Sequence, residues 1–164
     1  MDLNKLQALI TQHGAGKISF VRMECTTNLI GGQPFSMENL RAVSALTRKN
    51  GIPMVVDTSL ISENAYFIKR REKGYENRTI GEIVKEMMSY CDVMYMSARK
   101  SASVRGGLIA TNDKKFFEAI KNWLPVYEGF LTYGGMSSKE LEAMAVGLRE
   151  MTDYDVASAS PDLI

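Results

Sequence analysis

The chain has 164 residues, of which 45% are apolar, and this suffices for one globular domain with a hydrophobic core. The 20 Lys and Arg residues against 19 Asp and Glu residues give a formal charge of +1, which argues against a nucleic-acid or anionic-membrane partner. The 2 cysteines lie far apart and there is 1 histidine, so no metal site is predicted. Because the start lacks a signal-peptide pattern and no apolar run could span a bilayer, we expect a cytoplasmic protein.

Helical and strand patterns alternate along the chain. In chain order they predict helix 2–13, strand 17–25, helix 36–50, strand 53–57, helices 62–73 and 79–90, a strand from 93 to about 100, strand 106–111, helix 113–124 and helix 137–152. Loops are expected over 26–35 and 125–136. Strands that alternate with helices predict an α/β fold with a mostly parallel sheet and right-handed crossovers.

Two charged residues follow predicted strands. Asp57 ends the apolar run 53–57, and Lys100 follows the apolar run that begins at Val93. Open α/β sheets place their ligands at the carboxyl ends of parallel strands, so both side chains are expected at that edge. A carboxylate beside an amine suits a cofactor with a pyridine ring, whose nitrogen needs an anion and whose aldehyde needs an amine.

Four segments carry a family resemblance: 28–37, 57–69 (which includes Glu63-Asn-Ala-Tyr-Phe-Ile-Lys69), 96–100, and 127–135 together with the helix 142–149. Taken together they resemble the aromatic amino-acid β-lyases, tyrosine phenol-lyase and tryptophanase, which use pyridoxal phosphate. The resemblance implies a large domain of the fold type I class, with helices on both faces of the sheet.

The likeness extends over residues 17–152 and covers about one third of a family member. We therefore expect residues 1–164 to form a single partial domain, the central part of the cofactor-binding large domain. The family's amino-terminal part supplies a phosphate cup and a ring over the pyridine, and its small carboxy-terminal domain supplies an arginine for the substrate carboxylate. Neither part is expected within these 164 residues.

The resemblance implies a role for five residues, and each also has a simpler interpretation. Lys100 matches the lysine that holds the cofactor as a Schiff base and removes the Cα proton, although alone it would be interpreted as a solvated turn lysine. Asp57 matches the aspartate at the pyridine nitrogen, and it could instead cap a helix. Asn28 matches the asparagine at the phenolic oxygen, or it satisfies a turn. Ser97 matches a serine near the cofactor phosphate, and Arg99 takes the place of a lysine beside the Schiff base; both groups suit a phosphate. Their simpler interpretations are a strand-end serine and a surface arginine.

The substrate is left open by the sequence. Phe130 matches the position beside the aromatic leaving group and is typical of tryptophanases. The length and sequence of residues 75–84 are closer to those of the phenol-lyases. The implied reaction is β-elimination of tyrosine or tryptophan to phenol or indole, pyruvate and ammonia. An alternative is a non-catalytic remnant that associates with a fuller lyase subunit, and a homo-oligomer is also expected.

The chain departs from the family pattern around the expected cofactor. Leu60 stands where the family has an arginine that contacts the phenolic oxygen. Ser101 replaces an acidic residue after the lysine, and Leu131 replaces a proline. The stretch 100–106 is one residue short, and because it normally helps to build a monovalent-cation site, that site is not expected here. These changes suggest an altered active site on a retained scaffold.

Overall fold

A four-stranded sheet forms the centre of the chain in the computed structural model, which describes residues 1–159. Its strands lie side by side in chain order: β1 Val21–Glu24, β2 Met54–Asp57, β3 Val93–Ser97 and β4 Gly107–Thr111. The first three strands are parallel, and β4 pairs with β3 in the antiparallel direction. The prediction of a mostly parallel α/β sheet is therefore confirmed.

Helices precede, connect and follow the strands. They are α1 Leu3–His13, α2 Met37–Lys49, α3 Ile61–Arg71, α4 Ile80–Ser89, α5 Lys114–Lys121, α6 Leu124–Tyr127, α7 Ser138–Glu150 and α8 Tyr154–Ala159. Several begin where the sequence places a capping residue. The side chain of Ser36 accepts a hydrogen bond from the Asn39 amide, and Thr79 with Glu82 forms a reciprocal capping box. Such caps satisfy amide groups that have no partner within the helix.

The structure differs from the predictions most clearly at β1, at β3, in the segment after residue 124 and at α8. A 3₁₀ turn at Ala15–Lys17 precedes β1, so this strand is shorter than 17–25. Strand β3 ends at Ser97 because the chain then turns, with the Ala98 amide bonded to the Gly106 carbonyl. The expected loop 125–136 is partly helical, since α6 begins at Leu124. Helix α8, at 154–159, was not predicted.

The hydrophobic core lies on one face of the sheet. Alternate strand residues such as Met23, Val56 and Met96 are buried there with apolar side chains of α2, α3 and α4, among them Leu40 and Ile83. A sheet that grows in one direction through right-handed crossovers places these helices on the same face. The other set of alternate strand residues lies on the opposite face, and this set is more polar than the set in the core.

The carboxyl ends of β1, β2 and β3 lie at one edge, which we call the carboxyl rim. Backbone hydrogen bonds continue past the strands: the Cys25 amide donates to the Asp57 carbonyl at 2.9 Å, and the Thr58 amide donates to the Tyr95 carbonyl at 2.9 Å. The Leu60 amide donates back to the Cys25 carbonyl, also at 2.9 Å. The loops after the three strands are thus held against one another before any side chain contributes.

Among residues 1–159, no helix has the length and apolar character that a bilayer crossing requires. Both cysteines are free thiols. Burial raises the pKa of the Cys25 thiol well above its ordinary value, which leaves it in the unreactive protonated form at neutral pH.

The loop between β1 and α2 is closed by Asn64 of α3. Its side chain is fully buried (0% exposed), accepts from the Phe35 amide at 3.1 Å and donates to the Phe35 carbonyl at 3.0 Å. Replacing Asn64 by Ala should lower the free energy of unfolding by about 2–4 kcal/mol, because two backbone groups of the half-buried Phe35 lose their partners. Urea unfolding measures this change. The matched substitution Asn122→Ala, which removes an exposed bond to Glu118, should cost about 1 kcal/mol or less, and an equal loss in both variants would contradict the assignment.

Candidate functional site

A row of polar side chains crosses the sheet at the carboxyl rim. Asp57 of β2 pairs in register with Glu24 of β1 and with Tyr95 of β3, so the three side chains share the face opposite the core. Arg22, on the same face of β1, donates to the Tyr95 hydroxyl at 3.2 Å and lies 3.7 Å from the Glu24 carboxylate. Asp57 is half-buried, and its Oδ1 accepts from the Ser59 amide at 3.0 Å. The carboxylate is thereby held in one orientation.

These neighbours change the pKa of the Tyr95 phenol. Partial burial raises the pKa of its phenol above the ordinary value, and the neighbouring Asp57 carboxylate raises it further. The Arg22 guanidinium acts in the opposite direction because it stabilises the phenolate. Tyr95 is therefore a neutral hydrogen-bonding group beside Asp57 at neutral pH.

Lys100 lies in the turn that follows β3, and its side chain is exposed. The backbone on both sides of it is tied to Ser59. The Ser97 amide donates to Ser59 Oγ at 2.9 Å, and the Ser101 amide donates to the Ser59 carbonyl at 3.1 Å. Since Ser59 also bonds to Asp57, the turn with Lys100 and the carboxylate of Asp57 belong to one connected network at the carboxyl rim.

Ser101 is buried and takes part in this network. Its hydroxyl lies 2.5 Å from Glu63 Oε2 and 3.2 Å from the Ser59 carbonyl. A hydroxyl carries one proton, so the shorter contact, to Glu63, takes it. A carboxylate at position 101 would instead face the Glu63 carboxylate, and the serine avoids that repulsion.

The loop after β1 brings Asn28 to the same rim. Asn28 is exposed and opens the 3₁₀ turn Asn28–Ile30. Gly31 and Gly32 follow with φ of 79° and 70°, a conformation that favours glycine, and their amides donate to the carbonyls of Asn28 and Thr27. With those amides used inside the turn, the two glycines are better interpreted as turn residues than as a phosphate loop.

The structure thus brings five of the six expected site residues to the ends of three neighbouring strands. They are Asn28 after β1, Asp57 at the end of β2, and Ser97, Arg99 and Lys100 at and after the end of β3. Ser97 is half-buried and Arg99 is exposed. The group offers a carboxylate, an amine, an amide, a hydroxyl and a guanidinium at one edge of the sheet.

Phe130 lies in the loop between α6 and α7 rather than at the end of a strand. It is 69% exposed, and its ring lies 5.8 Å from that of Tyr133 within the same loop. The end of this loop does reach the turn after β3, because a side chain added at Gly106 would meet Met136 at 2.7 Å. The loop therefore contacts the turn through Met136.

Two further residues at the rim, Leu60 and Ser59, bear on the site. Leu60 is half-buried at the start of α3 and presents no polar side-chain atom at the rim. Ser59, which joins Asp57 to the Lys100 turn, was not predicted. Its signal is the Asp-x-Ser spacing, which is typical of a side chain that accepts from the amide two residues later. Among residues 1–159, no group of three or more His, Cys, Asp or Glu could hold a metal ion.

Comparison with known proteins assigns the family. The sequence profile of the β-eliminating lyases matches residues 1–159. The chain belongs to the β-eliminating lyase family. It is 49% identical over 156 residues to a tyrosine phenol-lyase of Fusobacterium nucleatum subsp. nucleatum, a match that covers 94% of this chain and 34% of the relative. A tyrosine phenol-lyase of Lacrimispora saccharolytica is 48% identical over 159 residues, covering 96% of this chain and 34% of the relative.

A solved structure from Exiguobacterium sp. 255-15, assigned as an aromatic amino acid β-eliminating lyase/threonine aldolase, has a similar fold. It superposes with a TM-score of 0.60 at 21% identity and covers 82% of this chain and 34% of that one. This β-eliminating lyase chain spans about one third of the length of the relatives it matches. The resemblance inferred from the sequence is confirmed at the level of family and fold.

The raised pKa of Tyr95 leads to a test of the polar row. Replacing Asp57 by Asn should lower the pKa of Tyr95, because the anion that opposes phenolate formation is removed. The phenolate absorbance of each chain, minus that of the same chain with Tyr95→Phe, gives the titration of this group.

With a folded pKa above the ordinary value, Tyr95 contributes stability below about pH 10, and this contribution is lost as the pH rises through the folded pKa. An Asp57→Asn variant whose Tyr95 pKa stays in place or rises would show that the two side chains are not neighbours.

Proposed function

We propose that this chain is the central part of a pyridoxal-phosphate-dependent β-eliminating lyase. The reaction is carbon–carbon β-elimination of an aromatic L-amino acid to a phenol or indole, pyruvate and ammonia. One observation carries the proposal: Asp57 and the turn with Lys100 lie at one rim of the sheet, joined through Ser59. The residues 17–152 correspond to the core of the large domain, and the cytoplasmic location expected from the sequence stays a prediction.

The side chains at the rim fit pyridoxal phosphate by their chemistry. The ring nitrogen needs a carboxylate, which Asp57 offers, and the aldehyde needs an amine, which Lys100 offers. The Asn28 amide suits the phenolic oxygen. The Ser97 hydroxyl and the Arg99 guanidinium suit the phosphate, since charged and hydroxyl donors bind its oxygens.

Pyridoxal phosphate, when bound, supplies an aldehyde for covalent attachment and a ring that withdraws electrons from Cα. Lys100 would hold it through Nζ. Once the amine of the substrate has replaced Nζ at the aldehyde carbon, the released Nζ would accept the Cα proton, for which its exposed position at the rim gives access. Asp57 holds a proton at the pyridine nitrogen, and the Ser59 amide keeps the Asp57 carboxylate oriented for that task.

Tyrosine is the substrate that the relatives favour, because the two matched above are named tyrosine phenol-lyases. Phe130 is proposed to line the pocket of the leaving group. Its exposure leaves a large aromatic surface available for that contact. Tryptophan, with indole as the product, is the alternative that Phe130 itself suggests.

Leu60 weakens the proposed site. A charged hydrogen bond to the cofactor contributes about 1.5–3 kcal/mol, and a leucine side chain cannot form one. The monovalent-cation site of the family is not proposed here, because the stretch 100–106 that would help to build it is one residue short. The expected consequence is a site that binds pyridoxal phosphate less tightly than a site with arginine at position 60.

A second candidate function is that of an association partner, either in a homo-oligomer or with a fuller lyase subunit. The observation that favours it is that no residue from 103 to 143, all within the described part of the chain, is buried. This stretch includes large apolar side chains on one segment, Trp123 (58% exposed), Val126 (68%) and Tyr127 (74%). Contiguous exposed apolar surface of this kind is typical of an interaction site.

The first test asks whether Lys100 is the attachment point. Incubation with pyridoxal phosphate followed by borohydride should leave a pyridoxyl group on Lys100, which peptide mass spectrometry locates. Lys100→Ala should abolish this label, while the control Lys115→Ala on α5 should retain it. Asp57→Asn should raise the half-saturating concentration by about tenfold or more, because a charged contact of about 1.5–3 kcal/mol is lost. Equal labelling of several exposed lysines in the unaltered chain would contradict the proposed function.

The second test concerns association. Replacing Trp123, Val126 and Tyr127 together by Ser should weaken self-association by at least about tenfold, because buried aromatic residues dominate interface energies. Sedimentation velocity over a range of concentrations measures the change. A control with Leu9 and Phe20 replaced by Ser, both exposed in other parts of the fold, should leave association unchanged. A chain that is monomeric at all concentrations, alone and when mixed with a tyrosine phenol-lyase subunit, would contradict the second candidate.

A further inference from the structure

We propose that Ser59 is a positioning residue, which sets the turn of Lys100 against the carboxylate of Asp57. The inference rests on the proposed function and deepens it, because it assigns the group that fixes the distance between the two cofactor-binding side chains. Ser59 itself is buried (3% exposed), so it acts through its neighbours rather than on the cofactor.

Three atoms of Ser59 hold three different points of the carboxyl rim. Its amide donates to Asp57 Oδ1 at 3.0 Å, and its hydroxyl oxygen accepts from the Ser97 amide at 2.9 Å. Its carbonyl accepts from the Ser101 amide at 3.1 Å. One residue therefore connects the carboxylate to the chain on both sides of Lys100.

The contact through the hydroxyl is the one that depends on the side chain. The backbone pairing of β2 with β3 continues only as far as the bond from the Thr58 amide to the Tyr95 carbonyl. At Ser97 the next amide of β3 on this side bonds to Ser59 Oγ instead. The serine hydroxyl thus takes the place of a backbone carbonyl and extends the pairing by one hydrogen bond.

This extension matters because the side chain of Lys100 is exposed and its position follows from its backbone. The backbone around it is anchored at Ser97 and at Ser101, and both anchors are on Ser59. Loss of the Ser97 anchor would leave the turn tied to Ser59 at Ser101 alone, while the bond from the Ala98 amide to the Gly106 carbonyl would remain. A reacting amine that samples more positions binds its partner less well, since orientation must then be established at binding.

The experiment compares Ser59→Ala with two control variants. Ser59→Thr keeps the hydroxyl and should restore the behaviour of the unaltered chain. Ser62→Ala removes another buried serine hydroxyl of the same region, whose bond to the Met151 carbonyl (2.6 Å) does not involve the rim. The two alanine variants lose the same kind of group, so a merely structural role would affect both in the same way.

Two quantities are measured on each chain. Hydrogen exchange of the Ser97 amide, followed without cofactor, reports the bond to Ser59 directly. The pyridoxal phosphate concentration that half-saturates borohydride labelling of Lys100 reports the position of the amine. Ser59→Ala should speed the exchange and raise the half-saturating concentration, each by about fivefold, the effect expected for one hydrogen bond. Ser59→Thr and Ser62→Ala should stay within about twofold of the unaltered chain.

The outcomes separate the inference from the proposed function. If the unaltered chain is not labelled at Lys100, the proposed function fails and the role of Ser59 fails with it. If the unaltered chain is labelled and Ser59→Ala changes neither quantity, or changes both no more than Ser62→Ala does, the proposed function stands and the role of Ser59 is wrong. Faster exchange at Ser97 with unchanged labelling would also contradict that role.

Discussion

The parallel, in-register pairing of β1, β2 and β3 is the constraint on which the rest of the site depends. Because the three strands run in one direction, the loops after them leave the sheet at a single rim, and each loop carries polar side chains. The register also aligns Glu24, Asp57 and Tyr95 on the face opposite the core. Apolar residues at alternate positions, such as Met54 and Val56, bury the other face and so prevent a slip that would exchange the two faces.

The departures from the family pattern do not all have the same consequence. Ser101 is an integral part of the rim, since it binds Ser59 through its amide and Glu63 through its hydroxyl. The Leu60 amide donates to the Cys25 carbonyl, but the Leu60 side chain offers no charge at the rim. Asp57 and the turn of Lys100 are therefore both held at the rim by hydrogen bonds. Under the proposed function, the departures reduce the number of charged contacts available to the cofactor. Ser101 thus changes how the turn after β3 is held, whereas Leu60 removes a charged contact from the proposed cofactor site.

Much of this arrangement could be predicted from the sequence, for identifiable reasons. Short apolar runs and capping residues predicted four strands and six helices, because burial periodicity and unsatisfied helix amides leave local signals. Placing Asp57 and Lys100 at one rim followed from the topology of parallel sheets. The role of Ser59 could not be predicted, because it depends on the contact between β3 and a residue 38 positions earlier in the sequence. Helix α6 and the position of Phe130 also escaped prediction, since no buried apolar face marks that segment.

In the proposed function, Asp57 and Lys100 act on one pyridoxal phosphate molecule from the same rim. The most direct test is ¹⁵N NMR of the chain loaded with pyridoxal phosphate labelled at its ring nitrogen. With the label attached at Lys100, we expect a protonated ring nitrogen at neutral pH in the unaltered chain and an unprotonated one in Asp57→Ala. An unprotonated nitrogen in the unaltered chain, or a protonated one that Asp57→Ala leaves unchanged, would contradict this expectation.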